Sequence, residues 1–320
     1  MSKQNDREEG GLVPIGNVIL SNPSLKPPTP VEMRLIESSA DIKRNFAEEI
    51  SFQHTVLCQT GLPYRATDER RWERRNGRVF LEIEAGRVLD PKTEKYIDMP
   101  LPFGPKARLI LIYLCTAAIQ AQSPVIDVEA SMTKFLSKLQ GRDPNGPEIR
   151  KFKQQIASLA SATIRMATVI EGRSLQVNNQ VVHKFDLTLK KNDESQRVLW
   201  PETVELTMDF FNTLKDHAVP LDHRAVAALA HSAMALDLYA WLAQRLWRIG
   251  AKSDALVPWV SLHQQFGQGY KHIRQLRAAF LDTMKDVLTQ YPAAQVIPTA
   301  EGLVLKKSPP PIASTKLLNP

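Results

Sequence analysis

The stretch YKHIRQLRAAFLDTMKDVLTQYP, residues 270–292, has a strong helical pattern and decides the predicted fold. Its apolar residues recur every three or four positions and predict one buried stripe, formed by Ile273, Leu276, Phe280, Met284 and Val287. Basic and amide side chains fall elsewhere, close to the start of the helix. The positive pole and the free N–H groups of a helix lie at that end, and both favour phosphate.

The segments around this helix give it a context. A long amphipathic segment, residues 225–249, leads to the apolar run LVPWV (256–260), and a half-length helix candidate, SLHQQFG (261–267), comes next. After the long helix, AQVIPTAEGLVLKK (294–307) has the pattern of a two-stranded hairpin. Helix, strand, helix, helix and hairpin is the element order of a winged helix-turn-helix.

The same order recurs earlier, between Lys106 and Lys191. There, a helix over 131–141, with Ser131 as cap and Gly141 as stop, precedes a long helix over 147–164. The strand-like segments IRMATVI (164–170) and VVHKFDLTL (181–189) follow, and we interpret them as the wing. The fold class we predict is α+β, mostly helical, with two tandem winged-helix domains.

Length and proline content divide the chain further. At 320 residues, two domains are favoured over one. We predict a flexible N-terminal segment at 1–50, a winged-helix domain at 51–197, a second at 198–311 and a tail at 312–320. A helix candidate at 32–50 has few large apolar residues, so it either docks on the first domain or stays mobile.

Positive charge is concentrated in the middle of the sequence. The net charge is +7, and residues 61–200 carry 23 basic against 16 acidic side chains. Such an excess favours a face that binds a polyanion, although it also serves solubility. The run RRWERRNGR (70–78) has five arginines. It could bind backbone phosphates, or it could pair with Glu82 and Glu84 or with the acidic N-terminal tail.

The two long helices supply candidate DNA-binding residues. A helix in the major groove places its N-terminal side chains at base edges, where Arg suits guanine and Gln suits adenine, while Lys suits phosphate. In the first domain we predict contacts from Arg150, Lys151, Gln154 and Ser158, and in the second from Lys271, Arg274, Gln275 and Arg277. Ser158, Ser161 and Lys271 are assigned to phosphates. The alternative is that these residues form a solvated helix face.

Enzyme motifs are missing from the sequence. There is no G-x-x-x-x-G-K-[ST] phosphate loop and no H-E-x-x-H metal motif, and we interpret Gly267 and Gly269 as part of a tight turn between helices. Cys58 and Cys115 fit no metal or redox spacing and are expected in a core. We therefore expect a cytoplasmic protein that is not an enzyme, has no cofactor or metal, and does not associate with membranes.

Six segments resemble plasmid-encoded RepA replication initiators, the family defined by a shared RepA C-terminal region. They are GLPYR (61–65), ERRNGRVFLEIEAG (73–86), PLPFGPKARLILIYL (100–114), SAMALDLYAWLAQRL (232–246), PWVSLHQQFGQGYKHIRQLRAAF (258–280) and GLVLKKSPPP (302–311). The resemblance implies binding of double-stranded DNA at plasmid origin repeats (iterons), opening of adjacent AT-rich DNA, and copy-number control. It also implies recruitment of the host initiator DnaA and the replicative helicase, and exchange between monomer and dimer.

The sequence leaves two other hypotheses for the function open. A transcriptional regulator with the same modules would bind an operator and have no role in replication. A nickase of the relaxase kind would need a tyrosine nucleophile near a metal-binding histidine pair. Tyr270 and His272 are close in sequence, but both fall at the start of the predicted DNA-reading helix.

Overall fold

Helices and short antiparallel strands alternate along the chain. A computed structural model describes residues 27–90, 93–128, 134, 136–137, 143–170, 173–178, 181–188, 200–250 and 253–312. The helices are α1 Pro30–Arg44, α2 Thr55–Gln59, α3 Gly104–Ala121, α4 Gly146–Ser161, α5 Met208–His217, α6 His223–Leu229, α7 Ala233–Arg245, α8 Trp259–Phe266 and α9 Ile273–Gln290, with a 3₁₀ turn at Leu246–Arg248. Most of the helix predicted over 131–141 lies outside the described residues, as do residues 1–26 and 313–320.

The strands form several small sheets rather than one. They are β1 Ile50–His54, β2 Arg71–Asn76, β3 Val79–Glu84, β4 Arg87–Asp90, β5 Lys95–Asp98, β6 Val125–Asp127, β7 Thr163–Ile170, β8 Arg173–Asn178, β9 Val182–Thr188, β10 Trp200–Leu206, β11 Ala218–Asp222, β12 Ala255–Pro258, β13 Val296–Pro298 and β14 Gly302–Leu305. Their orders within the sheets are β1-β11, β6-β10-β9, β12-β14-β13, β2-β3-β7-β8 and β4-β5.

Helix α7 and the elements after it form one unit, in the order α7, β12, α8, α9 and the hairpin β13–β14. Strand β14 lies between β12 and β13 and is antiparallel to both. The core of the unit is aromatic: the ring of Phe280 lies 5.9 Å from that of Trp259 and 5.5 Å from that of Phe266. The predicted stripe of α9 is buried except for Ile273, which is the first helical residue and is 36% exposed.

The middle of the chain repeats part of this arrangement. Helix α3, strand β6, helix α4 and the pair β9–β10 occur in that order, with β7 and β8 between α4 and β9. Strand β10 lies between β6 and β9 as β14 lies between β12 and β13. Leu109 and Ile112 of α3 and Phe152 and Ile156 of α4 are buried in the core of this unit. Strand β10 begins at Trp200, just after the predicted boundary between residues 197 and 198, and it completes the sheet of the first unit.

The predicted wing of this first unit is wrong in its pairing. Strand β7, which contains IRMATVI, pairs with β8 and β3, whereas β9 pairs with β10. The side chains on one face of β7 explain this choice. Met166 lies opposite Leu81, and Ile164 lies opposite Ile83, so all four are buried together when β7 joins β3. The resulting four-stranded sheet β2-β3-β7-β8 is an addition to the repeated unit.

A second repeated feature joins the two units. Strands β1 and β11 pair antiparallel although they are more than 160 residues apart, and each runs directly into a short helix. The backbone N–H of Val56 donates to His54 Nδ1 at 3.2 Å, and that of Arg224 donates to Asp222 Oδ1 at 3.0 Å. Each strand therefore ends in a residue that caps the following helix.

Helix α1 lies within the segment for which the sequence predicts flexibility. Thr29 and Glu32 form a capping box at its start. It packs on α6 and α9, through an ion pair of 2.7 Å between Arg224 and Asp41 and a hydrogen bond of 2.8 Å from Gln290 Nε2 to the Leu35 carbonyl. Polar contacts of this kind leave little trace in hydropathy, which explains why the sequence predicts docking on the first domain or mobility instead.

Candidate nucleic-acid interface

A short turn fixes the angle between α8 and α9. Gly267 ends α8, and its N–H donates to the His263 carbonyl at 2.8 Å. A Cβ on Gly267 would lie 2.3 Å from that carbonyl oxygen, so a side chain is not tolerated there. Gly269 has φ +78°, in the left-handed region that favours glycine. The prediction of a tight turn between two helices is confirmed.

The N-terminal end of α9 presents free cations to solvent. Lys271, Arg274 and Gln275 are all exposed. Among the described residues, no salt bridge involves Lys271 or Arg274, and the acidic residues of α9, Asp282 and Asp286, lie in its second half. The positive pole of the helix adds to this charge. This end of α9 is therefore arranged to attract an anion.

Arg277 differs from the other predicted residues of α9 because it is only partly exposed. Its guanidinium carbon lies 5.1 Å from the centre of the Trp259 ring, and Nη2 donates to the Thr299 carbonyl at 3.4 Å. Thr299 belongs to the turn between β13 and β14. Arg277 thus links α9 to the hairpin, and its packing holds the hairpin beside the exposed end of the helix.

Helix α4 presents a similar but separate face. Arg150, Lys151 and Gln154 are exposed, as their helical positions predict. Asn145 caps the helix and forms a capping box with Glu148, so one acidic side chain lies among the basic ones. The two predicted sets of residues lie on different units, since α4 packs on α3, β9 and β10, and α9 packs on α7, α8 and α1.

Ser158 is wrongly predicted as a phosphate contact. It is completely buried, and its hydroxyl has no hydrogen-bond partner among the described residues. The helical wheel fails here because α4 has two buried sides, one against α3 and one against β9 and β10. Ser161 is partly buried, and its hydroxyl donates to the Ala157 carbonyl at 2.8 Å.

We expect Ser158→Ala to leave DNA affinity unchanged. The free energy of unfolding should fall by no more than about 1 kcal/mol, or should rise, because the substitution removes a buried hydroxyl that has no partner among the described residues. Urea unfolding and a DNA-binding titration of the same preparation measure the two effects. A loss of DNA affinity without loss of stability would return Ser158 to the interface.

The basic run 70–78 forms the strand β2 and its turn into β3. Arg71 pairs with Glu82 and with Glu73, which is one of the alternatives that the sequence leaves open. Glu84 pairs with Arg165 of β7, at 3.0 Å, rather than with the run. The acidic N-terminal tail lies outside the described residues.

A buried ion pair connects the two units. Arg108 of α3 donates to both carboxylate oxygens of Asp237 of α7, at 2.6 and 2.7 Å, and their side chains are only 4% and 11% exposed. Arg108 also donates to the carbonyls of Leu62, Pro63 and Gly104. Burial raises the pKa of the Asp237 carboxyl, and the paired guanidinium opposes that rise.

The segment GLPYR (61–65) is wrapped around this pair. A Cβ on Gly61 would lie 2.6 Å from Asp237 Oδ2, so the backbone of Gly61 touches the carboxylate directly. The Gly61 carbonyl accepts a hydrogen bond from Trp72 Nε1 at 2.9 Å, and the N–H of Tyr64 donates to Gln268 Oε1 at 2.7 Å. Side chains and backbone from four of the six resembling segments, 61–65, 100–114, 232–246 and 258–280, therefore meet at one junction.

Comparison with protein families gives a decisive match. The model for plasmid encoded RepA protein matches residues 101–260, half of the chain. The chain belongs to this family. No curated protein sequence matches the chain.

Two solved structures resemble this RepA family member weakly. Domains 2 and 3 of RctB, in selenomethionine form, share 11% identity, cover 79% of this chain and 98% of their own, and give a TM-score of 0.48. A second structure, of RctB residues 155–483, shares 10% identity, covers 78% of this chain and 94% of its own, and gives 0.44. Similarity at this level does not establish a fold.

The family model covers the ion pair of this RepA family member but not its helix α9. The matched range contains both Arg108 and Asp237, and it ends at Val260, before α9 begins. The junction was missed in the sequence because neither residue has a motif. The signal was one arginine and one aspartate, each next to apolar residues in a mostly apolar helix, since buried charges of opposite sign are usually paired.

The described residues contain no group of three or more His, Cys, Asp or Glu that could hold a metal ion. Within that same part of the chain, no helix has the length and apolar character needed to cross a membrane.

Proposed function

We propose that this protein is a plasmid replication initiator that binds repeated duplex sites, or iterons, at the plasmid origin through two winged-helix units. One observation carries the proposal. In the C-terminal unit, Lys271 and Arg274 lie exposed at the start of α9, beside the hairpin β13–β14, and neither forms a salt bridge with any residue that the structure describes. This is the arrangement by which a recognition helix enters the major groove while a wing follows the backbone.

The proposal extends to partners by way of the family. Initiators of this kind open AT-rich DNA next to the repeats and recruit the host initiator DnaA and the replicative helicase. Exchange between dimer and monomer then separates repression from initiation. The protein acts by binding, without catalysis, in the cytoplasm where the plasmid resides.

Nuclease protection across the plasmid that carries the gene tests this function. We expect a series of protected segments with regular spacing beside the gene, next to an AT-rich region. A single protected palindrome within a promoter would indicate a transcriptional regulator instead. Relaxation of supercoiled plasmid by the protein and magnesium would show that it is an enzyme.

Phosphate contacts should make the affinity strongly dependent on salt. Each phosphate neutralised contributes a slope of about −0.9 to the logarithm of the binding constant against the logarithm of salt concentration. We expect a steep negative slope with duplex DNA, measured by fluorescence anisotropy at several salt concentrations. A flat response would contradict binding of the duplex backbone.

A further inference from the structure

A cleft separates the four-stranded sheet from the C-terminal unit. One wall is formed by β2, β3 and β7, and the other by Arg245, β12 and α8. The volume of the cleft is about 1160 Å³, and it is open to solvent. Small-ligand pockets usually have roughly 300–1,000 Å³, so this space suits part of a longer molecule.

The lining of the cleft is basic. It contains five arginines and two glutamates, namely Arg71, Arg74, Arg75, Arg165, Arg245, Glu73 and Glu82. Arg71 pairs with both glutamates, and Arg165 pairs with Glu82 at 2.5 Å. Arg74, Arg75 and Arg245 have no carboxylate partner among the described residues, so three positive charges in the cleft are left uncompensated.

Arg74 and Arg75 are held in place by aromatic rings. The guanidinium carbon of Arg74 lies 3.9 Å from the centre of the Trp72 ring, and that of Arg75 lies 5.0 Å from the centre of the Phe80 ring. Arg74 is half-buried, and burial lowers the pKa of its guanidinium. A partly buried cation without a counter-ion is unfavourable, and an anion in the cleft would relieve that cost.

The cleft reaches α8, the helix that precedes α9. Ser261 and Gln264 of α8 line it, and α8 is joined to α9 by the short turn at Gly267. A DNA molecule that contacts the start of α9 therefore passes close to α8. Guanidinium groups presented by aromatic rings are suited to phosphodiester oxygens.

We propose that this cleft binds the phosphodiester backbone of DNA that extends beyond the segment contacted by α9. The inference rests on the proposed function, because it assumes that α9 binds DNA. The backbone can come from the flank of the duplex or from a strand separated at the origin. Arg74, Arg75 and Arg245 supply the cationic contacts.

The test uses the full chain with Arg75→Glu and Arg245→Glu combined. Both residues are exposed, so the variant is expected to fold, which circular dichroism checks. The matched control is Lys43→Glu with Lys285→Glu, which makes the same charge change at exposed residues outside the cleft. Both are titrated against a duplex that carries one protected repeat with its flanks and against oligothymidine, with wild type and Arg274→Ala alongside.

We expect the cleft variant to lose at least tenfold more affinity than the control. The variant with Arg75→Ala and Arg245→Ala should show a salt slope shallower by about 1.8 on duplex, or about 1.4 on a single strand. A selective loss on the duplex identifies the flank as the source, and a selective loss on oligothymidine identifies a separated strand. Equal losses for cleft variant and control overturn this inference and leave the proposed function standing, provided that Arg274→Ala still weakens duplex binding. Wild type that binds neither DNA overturns both.

Discussion

Arg108→Met is expected to lower the free energy of unfolding by about 3–5 kcal/mol, because it leaves the Asp237 carboxylate buried without its partner. It also removes the donor for three backbone carbonyls, those of Leu62, Pro63 and Gly104. Urea unfolding followed by tryptophan fluorescence measures the loss. The matched control is Lys285→Met, which breaks an ion pair with Asp282 whose side chains are 77% and 79% exposed. That change should cost no more than about 1 kcal/mol.

The decrease in the free energy of unfolding caused by Arg108→Met should depend on pH. Without the guanidinium, only burial acts strongly on Asp237, so the pKa of its carboxyl rises above that of the unfolded chain. When the carboxyl has a higher pKa in the folded than in the unfolded chain, its ionisation destabilises the folded protein. This destabilisation is absent below the unfolded pKa and grows as pH rises towards and through the folded pKa. The variant should therefore be closer to the wild type at about pH 5 than at about pH 8.

A double variant separates the pair from its surroundings. Adding Asp237→Leu to Arg108→Met removes the isolated charge, and we expect it to recover part of the stability and to abolish the extra pH dependence. If Arg108→Met and Lys285→Met lower the free energy of unfolding equally, the ion pair between Arg108 and Asp237 does not hold the two units together.

Arg274→Ala is expected to weaken binding to a specific repeat by about 1–3 kcal/mol, with a much smaller effect on random duplex, if the guanidinium reads a base. Competition titrations with both DNAs measure the difference. Because Arg274 is exposed and has no salt bridge among the described residues, the substitution should leave the free energy of unfolding nearly unchanged.

Lys285→Ala is the control for Arg274→Ala, since it removes a cation from the other end of the same helix. We expect little effect of this control on either DNA. An equal loss for Arg274→Ala on specific and random duplex would reassign Arg274 to a phosphate, and no loss on either would place it outside the interface.

Local periodicity was enough to predict α4 and α9. Leu276, Phe280, Met284 and Val287 recur within one segment, and all four are buried in α9. The turn at Gly267 could also be predicted, because glycines between two helical patterns indicate a tight connection. These features depend on neighbours a few residues away, which the sequence displays directly.

Pairing between distant strands could not be predicted in this way. Strand β7 joins β3, which lies about 80 residues earlier, because Met166 and Ile164 find buried partners there. The sequence predicted instead that IRMATVI (164–170) would form a wing with VVHKFDLTL (181–189), which pairs with β10. The burial of Ser158 and the pairing of Arg108 with Asp237 likewise depend on which helices meet, and a single helical wheel carries no such information.

The placement of α9 in the groove can be tested by cleavage of DNA from a tethered iron chelate. Ala278 is exposed and lies one turn after Arg274, so Ala278→Cys puts a reactive thiol near the interface without removing a proposed contact. Background labelling should be low, because Cys58 and Cys115 are buried and burial raises the pKa of both thiols. Lys285→Cys is the control at the far end of the helix.

With the chelate at residue 278, we predict strand cleavage confined to the bases within each protected repeat, on both sides of the major groove. With the chelate at residue 285, we predict little or none. Cleavage of equal strength from both positions, or from neither while the protein still protects the repeats, would contradict the account, because α9 would then not be the element that enters the DNA.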